Sequence, residues 1–138
     1  LSAVCSSDLV HGVSQPGAVQ LRPAILGELQ AVGGKAVGKD KPFALVFHGG
    51  SGSTEAEIAE AGGYGVIKMN IDTDTQYAFT RPVVGHMLAN YDGVLKIDGE
   101  VGDKKKYDPR VWGQLAEAGL AARLVQAYQS LRSAGPQP

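Results

Sequence analysis

The chain has 138 residues, 43% of them hydrophobic and 20% charged, with a formal net charge of −1. That length supports one globular domain with a core of its own, and the near-neutral charge excludes a protein that holds nucleic acid by non-specific electrostatics. A single cysteine, Cys5, excludes an internal disulfide framework and fits a reducing compartment such as the cytoplasm, and no apolar run reaches the roughly 18 residues of a membrane span.

The chain begins at Leu1 with no initiator methionine, and the N-terminus shows no basic region ahead of a long apolar run, so no signal peptide is expected. Leu1 to Leu9 carries little pattern. Residues 1–9 are read as an atypical, non-native edge and residues 10–138 as the body of a piece of a longer protein.

Leu9 to His11 gives the edge of a first strand, followed by the turn-rich Ser14-Gln15-Pro16-Gly17. A helix is predicted from about Arg22 or Pro23 to Val32, because proline suits a first helical turn, and Gly33-Gly34 should end or loosen it. Phe43 to Phe47 is a short apolar run, the mark of a fully buried strand. Thr54 and Glu57 have the spacing of a capping box, so a helix should run to about Ala61 and stop at Gly62-Gly63. Tyr64 to Met69 is the next strand. A longer helix should follow to about Asn90, kinked or divided by Pro82. Val94 to Ile97 has no clear pattern, and Asp98 to Pro109 is a charged excursion in which Lys104-Lys105-Lys106 reads as a solvated loop between Asp103 and Asp108. The last helix, Val111 to Arg132, should bury a face made of Leu120, Leu124, Ala127, Tyr128 and Leu131. Strands alternating with helices imply an α/β fold with parallel strands. The pattern alone leaves open a small open sheet or part of a barrel, since a closed (β/α)₈ barrel takes about 250 residues.

His11-Gly12 and His48-Gly49 share one form: an apolar run, a histidine, then glycine. Two such histidines at adjacent strand ends can offer neutral imidazoles to one divalent metal, zinc by preference; each can equally be a hydrogen-bonded loop or core histidine. Gly49-Gly50-Ser51-Gly52-Ser53 can aim backbone N–H groups at an anion, helped by the positive end of the helix that follows, or can be a turn and a cap. No Gly-Lys-Ser/Thr follows, so it is not a Walker loop, and Glu55 stands where a dinucleotide fingerprint needs its third glycine. Asn70-Ile71-Asp72-Thr73 holds the same topological place after the next strand, and can bind a phosphate or polyol or simply cap a helix. His86 reads as ordinary surface or packing.

Four segments together carry a resemblance. VHGVSQPG (10–17), FHGGSGST (47–54), YGVIKMNIDTDTQYA (64–78) and KKYDPRVW (105–112) resemble, in order and near-matching spacing, the class II, metal-dependent fructose-1,6-bisphosphate aldolases, with the wording of the class IIa branch. The resemblance covers about Val10 to Arg132 and implies the C-terminal portion of a (β/α)₈ TIM barrel, incomplete in this chain. It implies His11 and His48 as two of three zinc-binding histidines. Gly12, Gly49, Gly50 and Ser51 would hold one substrate phosphate, with a monovalent cation (Na⁺ or K⁺) nearby. Asn70, Ile71, Asp72 and Thr73 would complete the pocket, with Asn70 near the substrate carbonyl and Asp72 near its hydroxyls. Arg110 matches the arginine that reaches a neighbouring subunit to bind the far phosphate, which implies a homodimer.

The implied reaction is reversible cleavage of fructose 1,6-bisphosphate to dihydroxyacetone phosphate and glyceraldehyde 3-phosphate, as in glycolysis and gluconeogenesis. Zinc supplies the electrophile, so no lysine Schiff base is required. No catalytic acid or base is assigned within the chain; the family's aspartate lies upstream of these motifs, so the 138 residues alone are expected to be inactive. Ser14-Gln15 departs from the tyrosine-lysine usual after this histidine-glycine-valine. A tagatose-bisphosphate-type aldolase and an inert phosphate-binding half-barrel remain as alternatives, and a nucleotide-binding module stands further off. Neither nucleic acid nor membrane is an expected partner.

Overall fold

A computed structural model of the chain describes residues 3–6, 22–48, 50–95 and 101–135. They form β1 (Ala3–Ser6), α1 (Ala24–Val37), β2 (Ala44–Phe47), α2 (Glu55–Gly63), β3 (Val66–Met69), α3 (Thr73–Ala89), α4 (Tyr91–Val94), α5 (Lys104–Tyr107) and α6 (Pro109–Ser130). The chain divides into two compact units, Leu1–Asp74 with Tyr128–Pro138, and Thr75–Ala127.

The first unit holds a parallel three-stranded sheet in the order β1-β2-β3. Each parallel step is made through a helix, α1 and then α2, as parallel neighbours require. The α/β alternation expected from the sequence is therefore present. The first strand lies elsewhere than expected: Ala3–Ser6 pairs with Ala44–Phe47 in register Ala3↔Ala44 to Ser6↔Phe47, whereas Leu9 to His11 falls outside the described residues. Four residues with two β-branched or small apolar members are too short to show a period, so nothing in Leu1 to Leu9 marked a strand.

The core is built where β2 meets the helices. Leu26, Leu45, Phe47 and Ala61 are buried together, and Phe43, Tyr64, Val66 and Met69 pack against them. Leu45 is fully buried. Val66 and Met69 lie three apart yet both reach this core, which a regular strand of period two forbids. A register shift resolves the conflict: Leu45 pairs with Val66 but Val46 pairs with Lys68, so Ile67 is the extra residue and is left 73% exposed.

Two expected helix stops are displaced, the first of them for a packing reason. Gly33 and Gly34 lie inside α1, which continues to the left-handed Gly38 at φ 68°. Gly33 is there because a Cβ would sit 2.2 Å from the Phe43 ring, so the helix can lie flat on the aromatic only at a glycine. Gly62 and Gly63 likewise belong to α2; the reversal into β3 is made by Gly65, at φ +94°. Lys41, itself at φ 46°, donates from Nζ to the Gly63 carbonyl at 2.8 Å across this junction.

In the second unit, Pro82 neither ends nor divides the helix, since α3 is continuous from Thr73 to Ala89. Proline leaves the Ala78 carbonyl without its helical N–H partner. Gly119 of α6 lies against that carbonyl so closely that a Cβ would be 2.5 Å from its oxygen, a geometry suited to a weak Cα–H···O contact. Val94, the first residue of the stretch read as patternless, belongs to a helix, as the end of α4, and the lysine run is one helical turn capped by Asp103, whose Oδ1 accepts from Lys105 N at 2.9 Å. His86 Nε2 donates to the Lys106 carbonyl at 2.7 Å and ties α3 to that turn. The expected apolar face of α6 is the weakest part of the sequence reading. Of its five residues only Ala127 is buried, while Leu124 and Tyr128 are 37% and 53% exposed.

Candidate active site at the strand ends

Phe47 and Met69 are paired neighbours at the C-terminal ends of β2 and β3, so the residues that follow them, His48 and Asn70, emerge side by side. The backbone continues the pairing past both strands: Asn70 N donates to Phe47 O at 2.9 Å and Gly50 N to Asn70 O at 3.0 Å. Gly50 is buried in this seam, and a Cβ on it would meet Met69 Cγ, Asn70 O and Ile71 Cγ1 at 2.8 to 2.9 Å. Only glycine allows the two loops to approach so closely.

The side chains then meet above the seam. Asn70 Nδ2 lies 2.8 Å from His48 Nδ1, and both residues are half-buried. Ser51 Oγ accepts the N–H of Asp74 at 3.1 Å, so the first loop supplies a cap to the first turn of α3. The capping box read from the sequence is present at α2. Thr54 Oγ1 accepts from Glu57 N at 3.2 Å, and the Glu57 carboxylate accepts from Thr54 N at 2.8 Å.

These bonds refine what the glycine loop can offer an anion. The N–H groups of Gly50, Ser53, Thr54 and Glu57 are donated within the chain. Gly50 therefore shapes the loop by close approach, and its N–H points to Asn70. Ser51 keeps a hydroxyl proton to donate while its oxygen accepts from Asp74. Asp72 is exposed and precedes α3, Thr73 opens that helix half-buried, and Ile71 packs over Gly50.

The structure thus brings together His48, Gly50, Ser51, Asn70 and Ile71 in the first unit, beside Asp72 and Thr73. His11, Gly12 and Gly49 lie outside the described residues. Arg110 belongs to the second unit, at the start of α6. Asp108 is its partner there: Oδ1 caps Arg110 N at 3.0 Å and also accepts from Arg110 Nε at 3.0 Å. The guanidinium beside Asp108 lowers that carboxyl from 3.8 to about 2. Arg110 itself is 80% exposed along its side chain. The sequence reading missed Asp108, although Asp-Pro at a helix start is the signature of a cap followed by proline at the first helical position.

Gln30 is a structural side chain that the sequence did not reveal. It is 4% exposed, and its amide joins α1 to the opposite ends of both strands. Nε2 donates to Phe43 O at 2.8 Å and Tyr64 O at 2.9 Å, and Oε1 accepts from Phe43 N at 3.0 Å. A polar residue on an amphipathic helix reads as exposed, so no local signal marks it.

His48 is an imidazole at a strand end, a side chain of a type able to ligate a divalent metal, and no group of three or more His, Cys, Asp or Glu side chains that could hold a metal ion occurs among the described residues. No helix among the described residues is long and apolar enough to cross a membrane.

Parallel strands joined by helices, with polar residues gathered at the strands' C-terminal ends, define a partial α/β barrel of the kind enzymes use. The family comparison makes this specific. The model of the class-II fructose-bisphosphate aldolases matches residues 6–136, and the chain belongs to that family. It is 68% identical over 126 residues to the fructose-bisphosphate aldolase of Streptomyces galbus, a match covering 91% of this chain and 37% of that protein. With the Mycobacterium tuberculosis (strain H37Rv) fructose-bisphosphate aldolase the identity is 60% over 129 residues, covering 91% and 38%. The crystal structure of the Campylobacter jejuni fructose-bisphosphate aldolase superposes with a TM-score of 0.74 at 43% identity, covering 93% of this chain and 39% of that one. The chain therefore spans little more than a third of the length of these relatives.

Proposed function

We propose that this chain supplies part of the active site of a metal-dependent aldolase that reversibly cleaves fructose 1,6-bisphosphate to dihydroxyacetone phosphate and glyceraldehyde 3-phosphate. The observation that carries the reading is the seam at the strand ends, where His48, Asn70, Gly50 and Ser51 are drawn into one cluster. Family membership supports it.

In this reading His48 and His11 hold a zinc ion, whose chemistry when bound is to polarise the substrate carbonyl. The chain's own residues bind and orient the substrate. The Ser51 hydroxyl and the backbone N–H groups of Gly12 and Gly49 take a phosphate, with Gly50 shaping the loop. Ile71 and Thr73 border that pocket, and a monovalent cation would balance the phosphate charge. Asn70 and Asp72 orient the carbonyl and hydroxyl groups. Arg110 binds the far phosphate of a neighbouring subunit in a homodimer; its pairing with Asp108 holds the guanidinium at the head of α6. The acid/base group belongs to a part of the barrel other than this chain, and the working compartment is the cytoplasm.

The test is His48→Ala in a complete barrel carrying this sequence. Bound zinc and metal-dependent cleavage of fructose 1,6-bisphosphate should both be lost, by at least about 100-fold in turnover, since removing a ligand outweighs even a change in its surrounding shell. Unchanged zinc content would remove His48 from the ligand set.

A further inference from the structure

The hydrogen bond between Asn70 and His48 is not explained by substrate binding. Asn70 is fixed before its side chain is considered: its N–H donates to Phe47 O at 2.9 Å and its carbonyl accepts from Gly50 N at 3.0 Å. Both bonds belong to the seam that only glycine at position 50 permits. The Asn70 backbone is therefore fixed, and its Nδ2 lies 2.8 Å from His48 Nδ1. An amide nitrogen can only donate, so the ring nitrogen it faces must be the one without a proton. A neutral imidazole whose Nδ1 accepts carries its hydrogen on Nε2.

We propose that Asn70 is a positioning residue for His48: its amide donates to Nδ1, fixes the ring plane, and holds the imidazole as the Nε2–H tautomer. The tautomer of a histidine is set by the hydrogen bond at one ring nitrogen, and that choice decides which nitrogen has a lone pair to give. Here Nδ1 is kept proton-free and directed at the junction of the two loops. A cation arriving there displaces a neutral N–H donor, with no proton to remove from the ring, and the displaced amide is released toward the same pocket. This consequence rests on the metal reading of His48; the hydrogen bond and the tautomer do not.

The test is long-range hydrogen–nitrogen correlation NMR on a complete, metal-free barrel carrying this sequence, with the His48 ring assigned by loss of its signals in His48→Gln. At about pH 8, where imidazoles are neutral, His48 should be found as the Nε2–H tautomer. A predominant Nδ1–H tautomer in the unmutated chain overturns the proposal, whatever any variant does. Asn70→Asp keeps both backbone bonds and replaces the donor by an acceptor, so His48 should switch to Nδ1–H. A merely structural role for Asn70 predicts no switch, and an unmoved tautomer in the folded variant also overturns the proposal. The metal reading fails separately: saturating zinc that leaves the His48 signals unmoved removes the ligand role and leaves the hydrogen bond standing.

Discussion

The two ends of β2 are each held by a side-chain amide, and the two amides do different work. At the N-terminal end, Gln30 binds only backbone: the N–H and carbonyl of Phe43 and the carbonyl of Tyr64. It is buried against Phe43 and closes the sheet onto α1. At the C-terminal end, Asn70 has its backbone fixed by Phe47 and Gly50 but aims its side chain at a ring nitrogen. An amide that saturates buried backbone stabilises the fold and cannot leave without exposing unsatisfied groups. An amide set against an imidazole in a half-open site can be displaced by a ligand. The division matches the way barrels place stability at one end of their strands and chemistry at the other.

The sharpest way to break this comparison is at Gln30. Gln30→Leu should destabilise the chain by about 3 kcal/mol, because one carbonyl and one N–H of Phe43 and the Tyr64 carbonyl lose a buried partner. Asn70→Ala should cost under about 1 kcal/mol, its partner being reachable by water. Urea unfolding of the two variants reads both values, and equal losses would erase the distinction between the ends.

A smaller effect is expected at the loop between them. Thr54→Ala removes the α2 cap and half of the reciprocal pair with Glu57. The loss should be about 1 kcal/mol, with the sheet and the Asn70–His48 contact unchanged. A Thr54→Ala chain that also loses the His48 tautomer would show that the glycine loop, not Asn70, orients the ring.

The smallest effect belongs to Arg110 and is a matter of pH. The Asp108 carboxyl is lowered to about 2, first by the side-chain hydrogen bond from Arg110. A carboxyl whose folded value lies below its ordinary one stabilises the folded form above the ordinary value, and that contribution is lost as pH falls through the folded value. The clamp should thus hold Arg110 unchanged from neutral pH to about pH 4 and release it near pH 2. Titration of the Asp108 carboxyl by NMR checks this, and a midpoint at the ordinary value would show Arg110 unpaired in solution.

Much of this arrangement is legible in the residue order. The apolar run ending at Phe47, the Thr54–Glu57 box and the polar runs after each strand depend on neighbours within a few positions, where periodicity and capping chemistry act. The α/β class follows from them, whereas the family resemblance is carried by the four segments 10–17, 47–54, 64–78 and 105–112. The helix end expected at Gly33-Gly34 is displaced because glycine has two uses, and only the Phe43 ring lying on Gly33 decides which applies there. The apolar stripe of α6 was misread for the opposite reason: periodicity shows which face is apolar, while burial depends on what that face meets.

By itself, then, the sequence determined the alternation of strands and helices and the family, and it nominated the residues proposed to bind a metal and a phosphate. Tertiary structure alone decided which of them touch. Gln30 reaches Phe43 across 13 residues and Tyr64 across 34, and Asn70 reaches His48 across 22. No local pattern encodes such contacts, because they arise only when parallel pairing sets β2 and β3 side by side and a glycine at position 50 lets the loops close.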